Sequence, residues 1–133
     1  YSNDLICSSA CLGGEVLKHL TNGEKDKAIE TAKRYKELFG DDYYIELQDH
    51  GLEEQKRTNP DLIRIARDLD IKMIITHDAH YLRKEDAYNH EVLLCIQTGK
   101  KMNDIDRMKM GADEFYVKSP EEMAEYFKNL LGS

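Results

Sequence analysis

Apolar and polar positions along the chain fall into short strand-like runs separated by amphipathic helical stretches. Asp4-Leu5-Ile6-Cys7-Ser8-Ser9 reads as a short buried strand, and Leu12-Gly13-Gly14-Glu15 after it as a flexible turn. Residues 24 to 39 place Ala28, Ala32, Tyr35, Leu38 and Phe39 on one helical face among charges, and Gly40 stops the run. Tyr43 to Gln48 alternates, with Ile45 and Leu47 on one side and Glu46, Gln48 and His50 on the other. Asn59 is expected to cap a helix with Pro60 at its first position and Leu62, Ile63, Ala66 and Leu69 as its stripe; a strand over Lys72 to Thr76 follows.

In the second half, the charges at Arg83, Lys84, Glu85 and Asp86 open a helix whose apolar positions include Ala87, Val92, Leu93 and Ile96, and Gly99 ends it. Residues 100 to 112 read as an irregular loop and Glu114 to Val117 as a short strand. Ser119-Pro120-Glu121-Glu122 begins a last helix bearing Met123, Tyr126, Phe127 and Leu130. Gly132-Ser133 reads as a cloning remnant and is set aside. Strands alternating with helices predict an α/β protein with a parallel sheet or a β/α barrel, because parallel neighbours need helical crossovers. Three strong strands are too few for a barrel, and an open sheet leaves free edges. The chain is therefore expected to be a fragment of a larger domain or to self-associate.

Composition narrows the class. With 133 residues, 41% hydrophobic and 34% charged, the chain has the length and balance of one globular domain. A net charge of −7 without a basic stripe argues against phosphate binding by this piece alone. The densest cations, Lys100, Lys101, Arg107 and Lys109, are interleaved with Asp104 and Asp106 and read as a solvated loop. Three cysteines and no signal-like N-terminal run point to a reducing cytoplasm, and no stretch approaches the ~20 apolar residues of a membrane span.

Ligand-type side chains cluster after the strands: Cys11 after the first, His50 after the second, Asp78 and His80 after the third. In parallel β/α architectures sites form at the carboxyl ends of strands. Asp78 and His80, two apart, would point the same way on an extended strand and could share a cation; the alternative is a strand-to-helix turn in which Asp78 caps and His80 packs. Cys11 is a ligand or a small buried hydrophobe, and His50 a ligand or a turn residue. His77 is expected to face away and pack behind. His19 and His90 read as surface residues, Cys7 and Cys95 as core. A Cys, Asp and His set suits zinc, iron or manganese better than magnesium and could activate water against a phosphate ester.

Five blocks bring a resemblance: Cys11-Leu12-Gly13-Gly14-Glu15-Val16, Ile45 to Gly51, Thr76-His77-Asp78-Ala79-His80-Tyr81-Leu82, His90 to Lys100, and Asp113 to Met123. Together they resemble the bacterial replicative DNA polymerase III alpha subunits, in the later, C-terminal part of their PHP (polymerase and histidinol phosphatase) domain, over residues 1 to 131. The resemblance implies a distorted (β/α)7 barrel with a cleft for up to three divalent metals, zinc or manganese. It places Cys11, Asp78 and His80 on metal ligands, with His50 and His77 as possible supports behind them. It also implies DNA and other replicase subunits as partners, a proofreading subunit among them, and magnesium for polymerisation elsewhere in the parent.

In some relatives of that kind the domain is a 3′ to 5′ exonuclease, and in others a noncatalytic scaffold. The early His-x-His motif and the intermediate ligands are missing here, so the chain is expected to begin partway through the domain and to be inactive alone. The family's usual Asn before the aspartate is His77, a neutral swap or an added hydrogen-bond donor. A stand-alone phosphoesterase acting on small monoesters is the remaining alternative.

Overall fold

A computed structural model describes residues 2 to 131, apart from the side chains of Asn3, Asn129 and Leu130. The expected place of Leu130 in the last stripe, and the Gly132-Ser133 tail, lie outside the described residues. Three strands, β1 (Cys7–Ser8), β2 (Tyr43–Leu47) and β3 (Lys72–Ile75), form a parallel sheet in the order β1-β2-β3. Cys7 pairs with Tyr43, and Leu47 with Ile75. Helices α1 (Glu15–Thr21) and α2 (Lys25–Phe39) cross from β1 to β2, and α3 (Glu53–Asp68) from β2 to β3; α4 (Ala87–Thr98) and α5 (Pro120–Leu131) follow. This is the α/β class with a parallel sheet; seven strands and barrel closure are not among the described residues.

The core lies between the helices and one face of β2. Tyr43, Ile45 and Leu47 point into it and are fully buried, as the alternation over 43 to 48 predicts. Val16, Leu17 and Leu20 of α1, Leu62, Ile63, Ile65 and Ala66 of α3, and Phe127 of α5 complete it. Each large aliphatic side chain buried here contributes roughly 1.5–3 kcal/mol by leaving water. Ala28 and Ala32, one turn apart and fully buried, leave α2 room to lie against α1.

Several expectations are corrected. The first strand is two residues long and not buried: Ile6 is 77% exposed, and just Cys7 and Ser8 pair with β2. The turn expected at Leu12 to Glu15 is present over 11 to 14, and a helix that the pattern did not assign, α1, follows from Glu15, because Val16, Leu17 and Leu20 make an i, i+1, i+4 stripe that packs on the core. Asn59 caps nothing. Helix α3 starts at Glu53, and Pro60 sits inside it. Gln55 and Asn59, one turn apart, reach back instead to the β2–α3 loop: Asn59 Nδ2 donates to the Gln48 carbonyl at 2.9 Å, and Gln55 Oε1 accepts the His50 N–H at 2.7 Å. Satisfying those buried groups offsets the hydrogen bond that Pro60 cannot make.

Leu38 of α2 is exposed, and on α4 Leu93 and Ile96 are 61% and 72% exposed, while Leu94 and Cys95 face inward. Cys95 packs its sulfur 3.5 Å from that of Met102, tying α4 to the loop after it. Residues 114 to 117 make no sheet strand, although Tyr116 forms an isolated parallel bridge with Tyr81. The last helix starts as read: Ser119 Oγ accepts from the Glu122 N–H, and Glu122 Oε2 accepts from the Ser119 N–H, a reciprocal capping box. No described helix is long and apolar enough to cross a membrane.

Candidate functional site

The chain leaving β3 is held at three successive points. Thr76 N–H donates to the Leu47 carbonyl at 3.1 Å, the last bond of the sheet. The His77 carbonyl accepts from His50 Nε2 at 2.9 Å, and His80 N–H donates to the Phe115 carbonyl at 2.7 Å. Between them Asp78 takes a left-handed backbone, φ +42°, which aspartate tolerates better than most residues. The two-apart side chains therefore meet through a turn and not along an extended strand. Asp78 Oδ2 lies 3.4 Å from His80 Nε2, and both side chains remain partly open to solvent. Asp78 caps no helix; the next helical turn begins at Lys84.

His50 lies in the bend after β2, as the turn reading has it, but is 1% exposed, with both ring nitrogens engaged by protein groups. Its own N–H fixes Gln55 Oε1, so the Gln55 amide nitrogen faces His50 Nδ1 at 2.9 Å and donates to it. Nε2 then carries the proton given to the His77 carbonyl. The ring stacks on Phe115 with centroids 4.2 Å apart. Burial pushes its pKa below the ordinary value, against the smaller opposing influence of the His77 carbonyl and Asp78. His50 is thus a neutral support for the Asp78 loop, and His77 takes part through its backbone.

His80 meets Phe115 edge-on at 5.6 Å and lies 5.6 Å from the ring of His90. His90, read from the sequence as a surface residue, instead has a buried Nδ1 with no hydrogen-bond partner among the described residues, and it borders a cavity of about 300 Å³ between α4 and residues 109 to 113. The apolar contacts of α4 carried no signal for that placement. Lys100 pairs with Asp106 at 2.6 Å within the loop and Arg107 with Glu91 of α4, so two of the loop's four cations are matched by acids.

Glu46 was legible as part of a polar strand face and no more. Its carboxylate sits at the carboxyl end of the sheet and accepts from Ser8 Oγ at 2.6 Å, Thr76 Oγ1 at 2.6 Å and Gln48 Nε2 at 3.1 Å. Cys11 lies exposed on the loop after β1, and with Glu46 it borders a small cleft above the sheet. Among the described residues, no three or more His, Cys, Asp or Glu side chains are grouped so as to hold a metal ion. Asp78 and His80 are two donors, and two do not make a tetrahedral or octahedral site. The described residues alone do not fit a metal.

A PHP domain model matches residues 1 to 50, a span that contains Cys11 and ends before Asp78. Over nearly the whole chain the similarity is to polymerases. The DNA polymerase III subunit alpha of Campylobacter jejuni is 49% identical over 98% of this chain. The chain is similar to DNA polymerase III alpha subunits. The Treponema pallidum subunit is 46% identical over 96% of the chain, and the Deinococcus radiodurans subunit 51% over 90%. The chain spans 12%, 11% and 9% of these three subunits, respectively.

Proposed function

We propose that residues 1 to 131 are the later part of the PHP domain of a bacterial replicative DNA polymerase alpha subunit, a DNA-directed DNA polymerase in its whole form. The observation that supports this above others is the 49% identity to such a subunit across 98% of the chain. The complete domain would be the distorted seven-stranded β/α barrel, with β1 to β3 as three of its strands. The parent works in the cytoplasm on DNA with other replicase subunits, a proofreading subunit among them, and uses magnesium for polymerisation elsewhere in the polypeptide.

Within that protein Asp78 and His80 supply two donors toward a divalent ion, zinc or manganese, and Cys11 a third. The geometry behind this reading is the clamp on residues 76 to 80, which holds the Asp78 and His80 side chains 3.4 Å apart at the carboxyl end of the sheet. The remaining ligands come from other parts of the polypeptide. A site completed in this way would support 3′ to 5′ phosphodiester hydrolysis. A second reading is a noncatalytic scaffold, separated from the first by whether the whole polypeptide binds a divalent ion.

The polymerase assignment is tested by primer extension with the purified full-length polypeptide, a primed template, deoxynucleoside triphosphates and magnesium. Template-directed incorporation is expected. A full-length polypeptide that binds the primed template and adds no nucleotide would contradict it.

A further inference from the structure

We infer that Glu46 is a positioning residue that couples the loop carrying Cys11 to the loop carrying Asp78 and His80, a role that rests on the reading of these three side chains as donors to one site. The sheet presents one carboxylate at its carboxyl end, on the central strand, and each neighbouring strand sends a hydroxyl to it. Ser8, the last residue of β1, donates to Oε2 at 2.6 Å; Thr76, just past β3, donates to Oε1 at 2.6 Å. Hydrogen bonds to an ionised carboxylate are short and strong, and both distances lie in that range.

The Ser8 hydroxyl passes the constraint onward into its loop, while Thr76 is tied back to the exit of β2. Ser8 Oγ accepts the N–H of Ala10 at 3.3 Å, next to Cys11, where the backbone turns to φ +58°. Thr76 Oγ1 accepts from Gln48 Nε2 at 3.0 Å, two residues before Asp78. On the β1 side a further bond joins the Glu46 N–H to Ser9 Oγ at 2.9 Å. Glu46 therefore holds both ligand-bearing loops through one side chain, while its own backbone is fixed in the middle of the sheet.

The test is hydrogen exchange read by mass spectrometry on the full-length polypeptide, with cobalt(II) binding measured on the same samples. Ser8→Ala removes a contact on the Cys11 side and touches nothing beyond β3. The inference predicts that it accelerates exchange in residues 76 to 81 by about threefold or more, as expected when one member of a charge-assisted network is lost. Glu46→Ala should accelerate both loops and leave residues 62 to 69 at the wild-type rate, and Glu46→Gln, which keeps a carbonyl oxygen, should restore most of the protection. Should Glu46→Ala fail to fold, Ser8→Ala and Thr76→Val decide the matter, each being expected to loosen the loop it does not touch. Unchanged exchange across the sheet, or acceleration spread equally into α3, overturns the inference. Absent cobalt binding in the wild type with coupled exchange intact would count against the shared metal site and leave the coupling standing.

Discussion

His50 Nε2 lies 2.9 Å from the carbonyl oxygen of His77, so a buried neutral imidazole holds the backbone one residue before Asp78. The bond fixes where the left-handed turn at Asp78 begins, and the Phe115 carbonyl fixes where it ends. The pairing of Asp78 with His80 follows from that clamp.

Replacing His50 by Ala removes two hydrogen bonds and the stack on Phe115 and leaves a cavity. A loss of about 2–4 kcal/mol of domain stability is expected in urea unfolding. A loss under about 0.5 kcal/mol, the range of a surface substitution, would show that the ring is not a support.

The same residue sets a pH dependence. Its folded pKa is depressed by burial, so the unfolded chain takes up a proton first as pH falls. The stability it provides is complete above the ordinary histidine value of about 6.5 and declines below it, by at most about 1.4 kcal/mol per pH unit, until the folded pKa is reached. Unfolding midpoints between pH 7.5 and 5.5, by about a unit either side of that value, should fall more steeply in the wild type than in His50→Phe. Parallel slopes would remove His50 as the cause.

Gly14 and Gly13 are adjacent and should respond unequally to alanine. A Cβ on Gly14 would stand 2.1 Å from the Ser9 carbonyl oxygen, whereas one on Gly13 meets nothing nearer than the Cys11 sulfur at 3.8 Å. Gly14→Ala should cost about 3 kcal/mol through forced backbone movement, and Gly13→Ala less than about 1 kcal/mol. Equal unfolding midpoints for the two variants would be inconsistent with the close approach of the β1 exit to α1.

Arg107 and Glu91 form an ion pair that is mostly shielded from solvent. Burial alone would raise the Glu91 pKa, but hydrogen bonds from Arg107 and the Met110 N–H outweigh it, and the net shift is downward. Arg107→Ala should leave that carboxylate unmatched and cost about 2 kcal/mol, with the 100 to 112 loop becoming a preferred site of limited proteolysis. Wild-type cleavage kinetics would argue that the pair contributes nothing to the loop.

Periodicity made β2, α2 and α5 readable, because their buried positions alternate or recur at helical spacing and their ends carry Gly40 or the Ser119-Glu122 box. It misled at α3, where Asn59-Pro60 carries a helix-start signal that Asn59 overrides by serving the Gln48 carbonyl. On α4 the apolar residues surround the helix, so the inward face could not be chosen by pattern. The pairing of Asp78 with His80 was anticipated for the wrong reason, a shared strand face in place of a turn. The part played by Glu46 depends on contacts with Ser8 and Thr76, far from it in sequence, and the proximity of His90 to His80 on how the chain turns between β3 and α4; spacing encodes neither.

The central claim is that Asp78 and His80 act as donors to a divalent ion in the whole polymerase subunit. Elemental analysis of the full-length polypeptide against its Asp78→Asn, His80→Ala double variant, both purified without chelator and shown to be folded, tests it most directly. Bound zinc or manganese in the wild type and its loss from the variant is the expected result. Equal metal content in the two proteins, or none in either, would contradict the claim and favour the scaffold reading.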